Sequence, residues 1–327
     1  MNSRRRVVLA LSAGALAAPW WALAQRDARI YRLGWLATTN SFKEPYSLAF
    51  AQRLAELGFV EGRNLIIERR HPDSRIEKLP ALAGELAKLK CDVFFSGGPE
   101  AILAALTQSS RETPIVFVAV DFDPVATGDV ASLARPGGRV TGVSAMQGTL
   151  PAKRLELLKE LLPGARKVAV FTNEQTAGQL ALTQGTARRL GLTLRVVDFK
   201  RPPFDYEAGF ADAVRAKSDA LFVFGSALWV PARRKIAELA LKAKLPTMFH
   251  HSQWAEVGGL MSYGFSFPSM YRRGAELTAS VLRGTRVGEI PMEQPTTYEL
   301  VFNRRTADAL GVKIPQALLI RADRVIE

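Results

Sequence analysis

Short unbroken apolar runs alternate, along most of this chain, with longer stretches in which apolar positions recur every three or four residues. The first kind reads as buried strand, the second as amphipathic helix. A strand is predicted over 31–36, followed by a helix over 42–57 that places Tyr46, Phe50, Leu54 and Leu57 on one face. A strand at 64–68 leads into a helix with Ile76, Leu79, Leu82, Leu86 and Leu89 along one stripe. Val93-Phe94-Phe95 and 115–120 are apolar throughout, as in strands covered on both faces of a parallel sheet. A helix near 101–106 lies between them. The Pro/Gly-rich stretch Arg135-Pro136-Gly137-Gly138 then separates this series from a second. That series holds a helix with Leu155, Leu158 and Leu162, a strand at 168–171, a helix over 177–190 and a strand at 192–197. A helix near 206–215, a strand at 221–224 and a helix over 230–243 complete it.

Two such series predict an α/β fold of two doubly wound, Rossmann-like lobes joined by a hinge. Neither series repeats the other residue by residue. Ligands of open α/β sheets sit beyond the carboxyl ends of the strands, so two facing lobes place theirs between them, and hinge closure buries it.

The amino terminus breaks the pattern. Arg4, Arg5 and Arg6 precede an apolar run at 7–18, and Ala22-Leu23-Ala24 forms an A-x-A cleavage site before Gln25. This is the layout of a cleavable signal peptide, with an apolar run too short to span a bilayer. Ser3-Arg4-Arg5-Arg6-Val7-Val8-Leu9 also resembles a twin-arginine signal, so the general secretory and twin-arginine routes both stay open. The expected mature protein is periplasmic and, with no cysteine near the cleavage site, carries no lipid anchor. The only cysteine, Cys91, rules out an internal disulfide and reads as a small buried residue.

Composition adds little except through charge. The chain has 327 residues, 48% of them hydrophobic and 23% charged, which suits about two globular domains. The formal charge of +13 raises the question of a polyanionic partner. Its basic residues come instead in scattered pairs, such as Arg69-Arg70 and Arg188-Arg189, beside apolar helical positions. Nucleic-acid binding needs a concentrated stripe, and no nucleic-acid partner is expected. Loss of residues 1–24 removes three arginines and no acid, leaving +10.

Catalytic patterns are missing from the sequence. There are three histidines, and the adjacent pair His250-His251, read as extended, points to opposite faces. No H-E-x-x-H, paired C-x-x-C, G-x-S-x-G or Walker A sequence occurs, and no cofactor or metal is called for. Polar residues at strand ends stand out instead. Ser96 and Gly97 lead into a helix start with Pro99 at its first turn, a place suited to a carboxylate. Thr39, Asp123, Pro124 and Ser144 follow or end strands of the first series. Thr172, Asn173, Ser226 (beside Gly225) and Tyr263 do so in the second, facing them across a cleft. Ser96, Gly97 and Tyr263 are expected to share one ligand.

Several stretches stand out together: 57–64 (LGFVEGRN), 132–138 (SLARPGG) with Thr141-Gly142, 153–160 (KRLELLKE) and 258–264 (GGLMSYG). In the tail they are Glu293-Gln294-Pro295, 298–303 (YELVFN), 306–311 (TADALG) and 322–327 (ADRVIE). In this order they resemble the TrpX-like ABC substrate-binding family. The resemblance implies a type I periplasmic-binding fold whose chain crosses between lobes more than once. On that basis 25–145 is the first lobe, completed by part of 265–300, and 146–264 the second, completed by part of 300–327. It also implies a monomeric receptor that hands a small solute, such as an amino acid or other carboxylate, to an ABC permease and its ATPase subunits in the inner membrane. Many relatives carry an acid near the turn corresponding to Gly225-Ser226, and this chain has none there. The alternatives are an exported α/β enzyme with an unrecognised site and a ligand-sensing receptor without transport.

Overall fold

The computed structural model describes residues 29–327 apart from 74 and 149. The leader read at 1–24 lies outside the described residues. The first lobe begins with β1 (Tyr31–Ala37), α1 (Pro45–Glu56), β2 (Leu65–Arg70) and α2 (Leu79–Lys88). It continues through β3 (Val93–Gly97), α3 (Pro99–Gln108), β4 (Ile115–Val120) and β5 (Val140–Ala145). These five strands pair in the order β2-β1-β3-β4-β5, all parallel. β3 and most of β4 are buried, as their unbroken apolar runs require.

The second lobe follows with α4 (Leu150–Leu161), β6 (Lys167–Asn173), α5 (Ala177–Arg189), β7 (Thr193–Phe199) and α6 (Tyr206–Arg215). β8 (Ala220–Val223), α7 (Arg233–Lys242), β9 (Thr247–Phe249), α8 (Ser252–Glu256) and β10 (Met261–Phe265) come next. The chain then runs through α9 (Phe267–Leu282), β11 (Tyr298–Asn303), α10 (Arg304–Leu310), α11 (Gln316–Arg321) and β12 (Arg324–Ile326). The second sheet has the order β12-β11-β10-β9-β8-β6-β7, with only the β10–β11 pair antiparallel. Five of its strands, β7-β6-β8-β9-β10, repeat the connectivity of the first sheet. The doubly wound expectation therefore holds for both lobes, although their sequences are not repeats.

Two helices start later than their apolar stripes suggest, and proline is the reason in both. Pro80 fits only a first turn, so α2 begins at Leu79. Ile76 sits in the preceding 3-10 turn, 39% exposed. Likewise Pro231 keeps Ala227–Ala232 in 3-10 form and delays α7 to Arg233.

α9 leaves the second sheet and packs on the first. Its Tyr271 and Ala275 join a core with Trp35, Phe50 and Phe95. Gly274 lets it lie directly on β3 and β4, because a Cβ there would come within 2.9 Å of Val118 and 3.0 Å of Phe95. The chain then follows β5, where Glu293 donates to Gly142 O and accepts from Ser144 N, before re-entering the second sheet as β11. Three strands of chain thus cross between the lobes, at 145–150, 265–267 and 293–298.

Candidate functional site

The carboxyl ends of β1, β3 and β4 face those of β6, β8 and β9 across a cavity of about 420 Å³. That volume suits a ligand of one or two rings. Both sheets reverse their strand order there, between β1 and β3 and between β6 and β8, so the cavity lies at two facing switch points. A larger groove of about 1210 Å³ opens near Arg29, Asp92 and Glu289. It lies at the opposite ends of the first-lobe strands, where no switch point forms a site. Aromatic rings from α1 (Tyr46), β10 (Phe265) and α9 (Phe267, Tyr271) line one side of the cleft.

Of the residues expected from the sequence, Thr39, Gly97 and Ser226 line this cleft. Gly97 is required because its Cβ would lie 2.9 Å from the Tyr271 hydroxyl. Ser226 Oγ donates to Gln175 and accepts from Asn173 Nδ2, so Asn173 supports the cleft without lining it.

The other expected residues sit elsewhere. Ser96 is fully buried in β3, its hydroxyl without a partner among the described residues. Asp123 accepts from Val125 N and Ala126 N and caps a turn behind the buried Pro124. Ser144 bonds to Phe122 O, and Thr172 to Asp198. Tyr263 stacks on Tyr298 at 6.2 Å instead of facing Gly97. β10 runs on to Phe265, and the two-residue period of a strand brings that residue, on the same face, to the cleft. The expected trio therefore does not meet. Nor is the β3–α3 turn an open anion cradle: Gly98 N donates to Val118 O, Pro99 has no N–H, and Glu100 places an acid in the first turn.

The charge that the sequence reading missed is Arg154. It lies on α4, 1% exposed, and lines the cleft. Its Nε donates to Tyr263 O at 2.6 Å, Nη1 to Gln147 Oε1 at 2.8 Å and Nη2 to His250 O at 3.4 Å. These bonds tie α4 to the crossover at 145–150, to β10 and to the bend after β9. Among the described residues no carboxylate pairs with it, and burial pulls its pKa down to about 9. It still carries its charge at neutral pH.

His250 and His251 also differ from expectation. The chain bends between β9 and α8, so both rings line the cleft, 4.5 Å apart. Burial, aided by the Arg154 charge, holds both well below the usual imidazole range, with His251 lowered to about 3. Among the described residues their Nδ1 atoms have no hydrogen-bond partner. An unfolded chain binds protons at these rings below about pH 6.5, whereas the native protein does not. Stability is therefore complete above that pH and declines as pH falls toward 3. For His251 the loss is about 2 kcal/mol by pH 5. Thermal melts from pH 7 to 4.5 are expected to show this decline, and His251→Gln should lessen it, leaving the part due to His250.

At the cleft mouth, Glu44 of the first lobe accepts from Arg233 Nη2 at 2.6 Å and Gln253 Nε2 at 3.1 Å, both on the second. This contact joins the two lobes directly.

Residues 47–326 match the family described as ABC transporter substrate binding protein. The chain belongs to that family. A tyrosine-binding protein of Clostridioides difficile is similar in sequence, 26% identical over 81% of this chain and 76% of its own. Among solved structures, a conserved domain protein of Vibrio cholerae aligns with a TM-score of 0.79 at 23% identity, covering 91% of this chain and all of its own. An ABC domain from Streptococcus pneumonia, solved with L-Trp, aligns at 0.76 and 22% identity with the same coverage. These structures share the two-lobed fold. Family membership makes this chain a substrate-binding protein of an ABC transporter.

Proposed function

We propose that this protein is the exported, periplasmic receptor of an ABC importer, and that it captures a small aromatic carboxylate for delivery to a membrane permease. The buried, unpaired guanidinium of Arg154 carries this reading. Placing a cation out of water costs several kcal/mol unless an opposite charge joins it, and a ligand carboxylate supplies one. The rings of Tyr46, Phe265, Phe267 and Tyr271 offer an apolar wall for an aromatic group. Relatives described as binding tyrosine or solved with tryptophan support that choice. The Glu44 contact supports closure of the lobes around the ligand.

Calorimetric titration with aromatic amino acids, aromatic acids and their uncharged amides tests the reading. Binding of the carboxylates but not the amides is expected, with a smaller radius of gyration by small-angle scattering at saturation. Equal binding of acids and amides would overturn the Arg154 role. For the exported protein, amino-terminal sequencing is expected to begin at Gln25.

A further inference from the structure

Arg154 has a counterpart of opposite sign. Asp121 follows β4 with φ +55°, a left-handed conformation uncommon outside glycine, and its exposed carboxylate lines the cleft. One oxygen accepts from Gln147 N at 2.8 Å and the other from Gln147 Nε2 at 3.1 Å. Among the described residues no lysine or arginine forms an ion pair with it. The same Gln147 side chain accepts from Arg154 through Oε1. A single amide thus stands between an acid from the first lobe and a cation from the second. It fits there because position 225 is glycine: a Cβ would lie 2.6 Å from Gln147 Nε2.

We propose that Asp121 recognises the ammonium group of the ligand, so that the cleft selects zwitterionic amino acids over acids lacking the amine. The assignment rests on the reading of Arg154 as the carboxylate anchor. The two charges of an α-amino acid are borne on neighbouring carbons, so their anchors must be neighbours as well, and one bridging amide meets that condition. Glu100 is the other acid in the cleft without an ion-pair partner, but the positive end of α3 already complements it. Asp121 has no such helix end, and its charge is the one that reaches Arg154 most strongly. The strained backbone at 121 aims the carboxylate into the cleft while Gln147 holds both its oxygens.

The test compares L-phenylalanine, 3-phenylpropionate and phenethylamine on the wild-type protein and on Asp121→Asn and Glu100→Gln, with melting temperatures measured alongside. The wild type is expected to prefer phenylalanine to phenylpropionate by about ten- to a hundredfold, the worth of one charged hydrogen bond. Asp121→Asn should erase that preference, with phenylpropionate bound at least as tightly because a negative charge near Arg154 is gone, and Glu100→Gln should keep it. If the wild type binds phenylpropionate as tightly as phenylalanine, or Glu100→Gln alone erases the preference, the Asp121 assignment is overturned and the carboxylate reading stands. If neither carboxylate binds the wild type, that reading falls and Asp121 falls with it.

Discussion

Replacing Arg154 by methionine is expected to weaken binding of an aromatic carboxylate by about a hundredfold, with much less effect on its uncharged amide. The guanidinium supplies a charged hydrogen bond in a cleft sheltered from water, and such a bond is worth about 1.5–3 kcal/mol. The variant also leaves Tyr263 O, Gln147 Oε1 and His250 O without their donor. That loss is offset by no longer burying a charge, so folding should survive the change. Arg154→Lys keeps the charge but cannot reach all three acceptors as a fork does, and an intermediate affinity is expected. A second readout separates an electrostatic role from a packing role. The Arg154 charge helps to suppress protonation of both His250 and His251. Their NMR titrations should shift upward in Arg154→Met and stay in place in Arg154→Lys. Unchanged carboxylate affinity in the methionine variant would remove Arg154 from the site.

The largest loss of stability is expected from Gly264→Ala. A Cβ at 264 would stand 1.9 Å from His250 O and 3.0 Å from His250 C, and 3.4 Å from Arg154 Nη2. Its main obstacle is backbone, so no side chain can swing aside, and β10 must move from β9 where both reach the cleft. Such overpacking costs about 3 kcal/mol or more, a fall in melting temperature of roughly 10 °C for a chain of this size. Gly185→Ala is the matched control. On α5 that glycine has nothing within 4 Å of its would-be Cβ, and alanine there should stabilise by about 0.5–1 kcal/mol. Equal melting temperatures for the two variants would contradict the close approach of β10 to residue 250.

The strand-end residues show how near the sequence reading comes and where it stops. Asp123 was expected in the cleft and Asp121 is found there; Tyr263 was expected and Phe265 is found; Thr172 and Asn173 were expected and Gln175 is found. Each miss is two or three residues from its mark. Apolar runs locate a strand well, but its last residue depends on pairing with a neighbour that the local pattern does not contain. Ser96 errs by one residue for a related reason: in β3 successive side chains point to opposite faces, so its neighbour Gly97 meets the cleft instead.

By itself the sequence determined the α/β class, most of the helices and strands, the two series and the placement of a site at facing strand ends. Those follow from local periods of two and 3.6 residues, written in contiguous stretches. Only the tertiary structure decided which charges enter the cleft. Beside Lys153 on an amphipathic helix, Arg154 looks like one more solvated basic residue. Its burial comes from Gln147, Tyr263 and His250, up to 109 positions away, brought around it by one crossover, by β10 and by the bend after β9. The histidine pair reads as extended until the bend after β9 turns both rings the same way. A solvation environment is made by distant segments meeting, and no pattern along a single stretch records it.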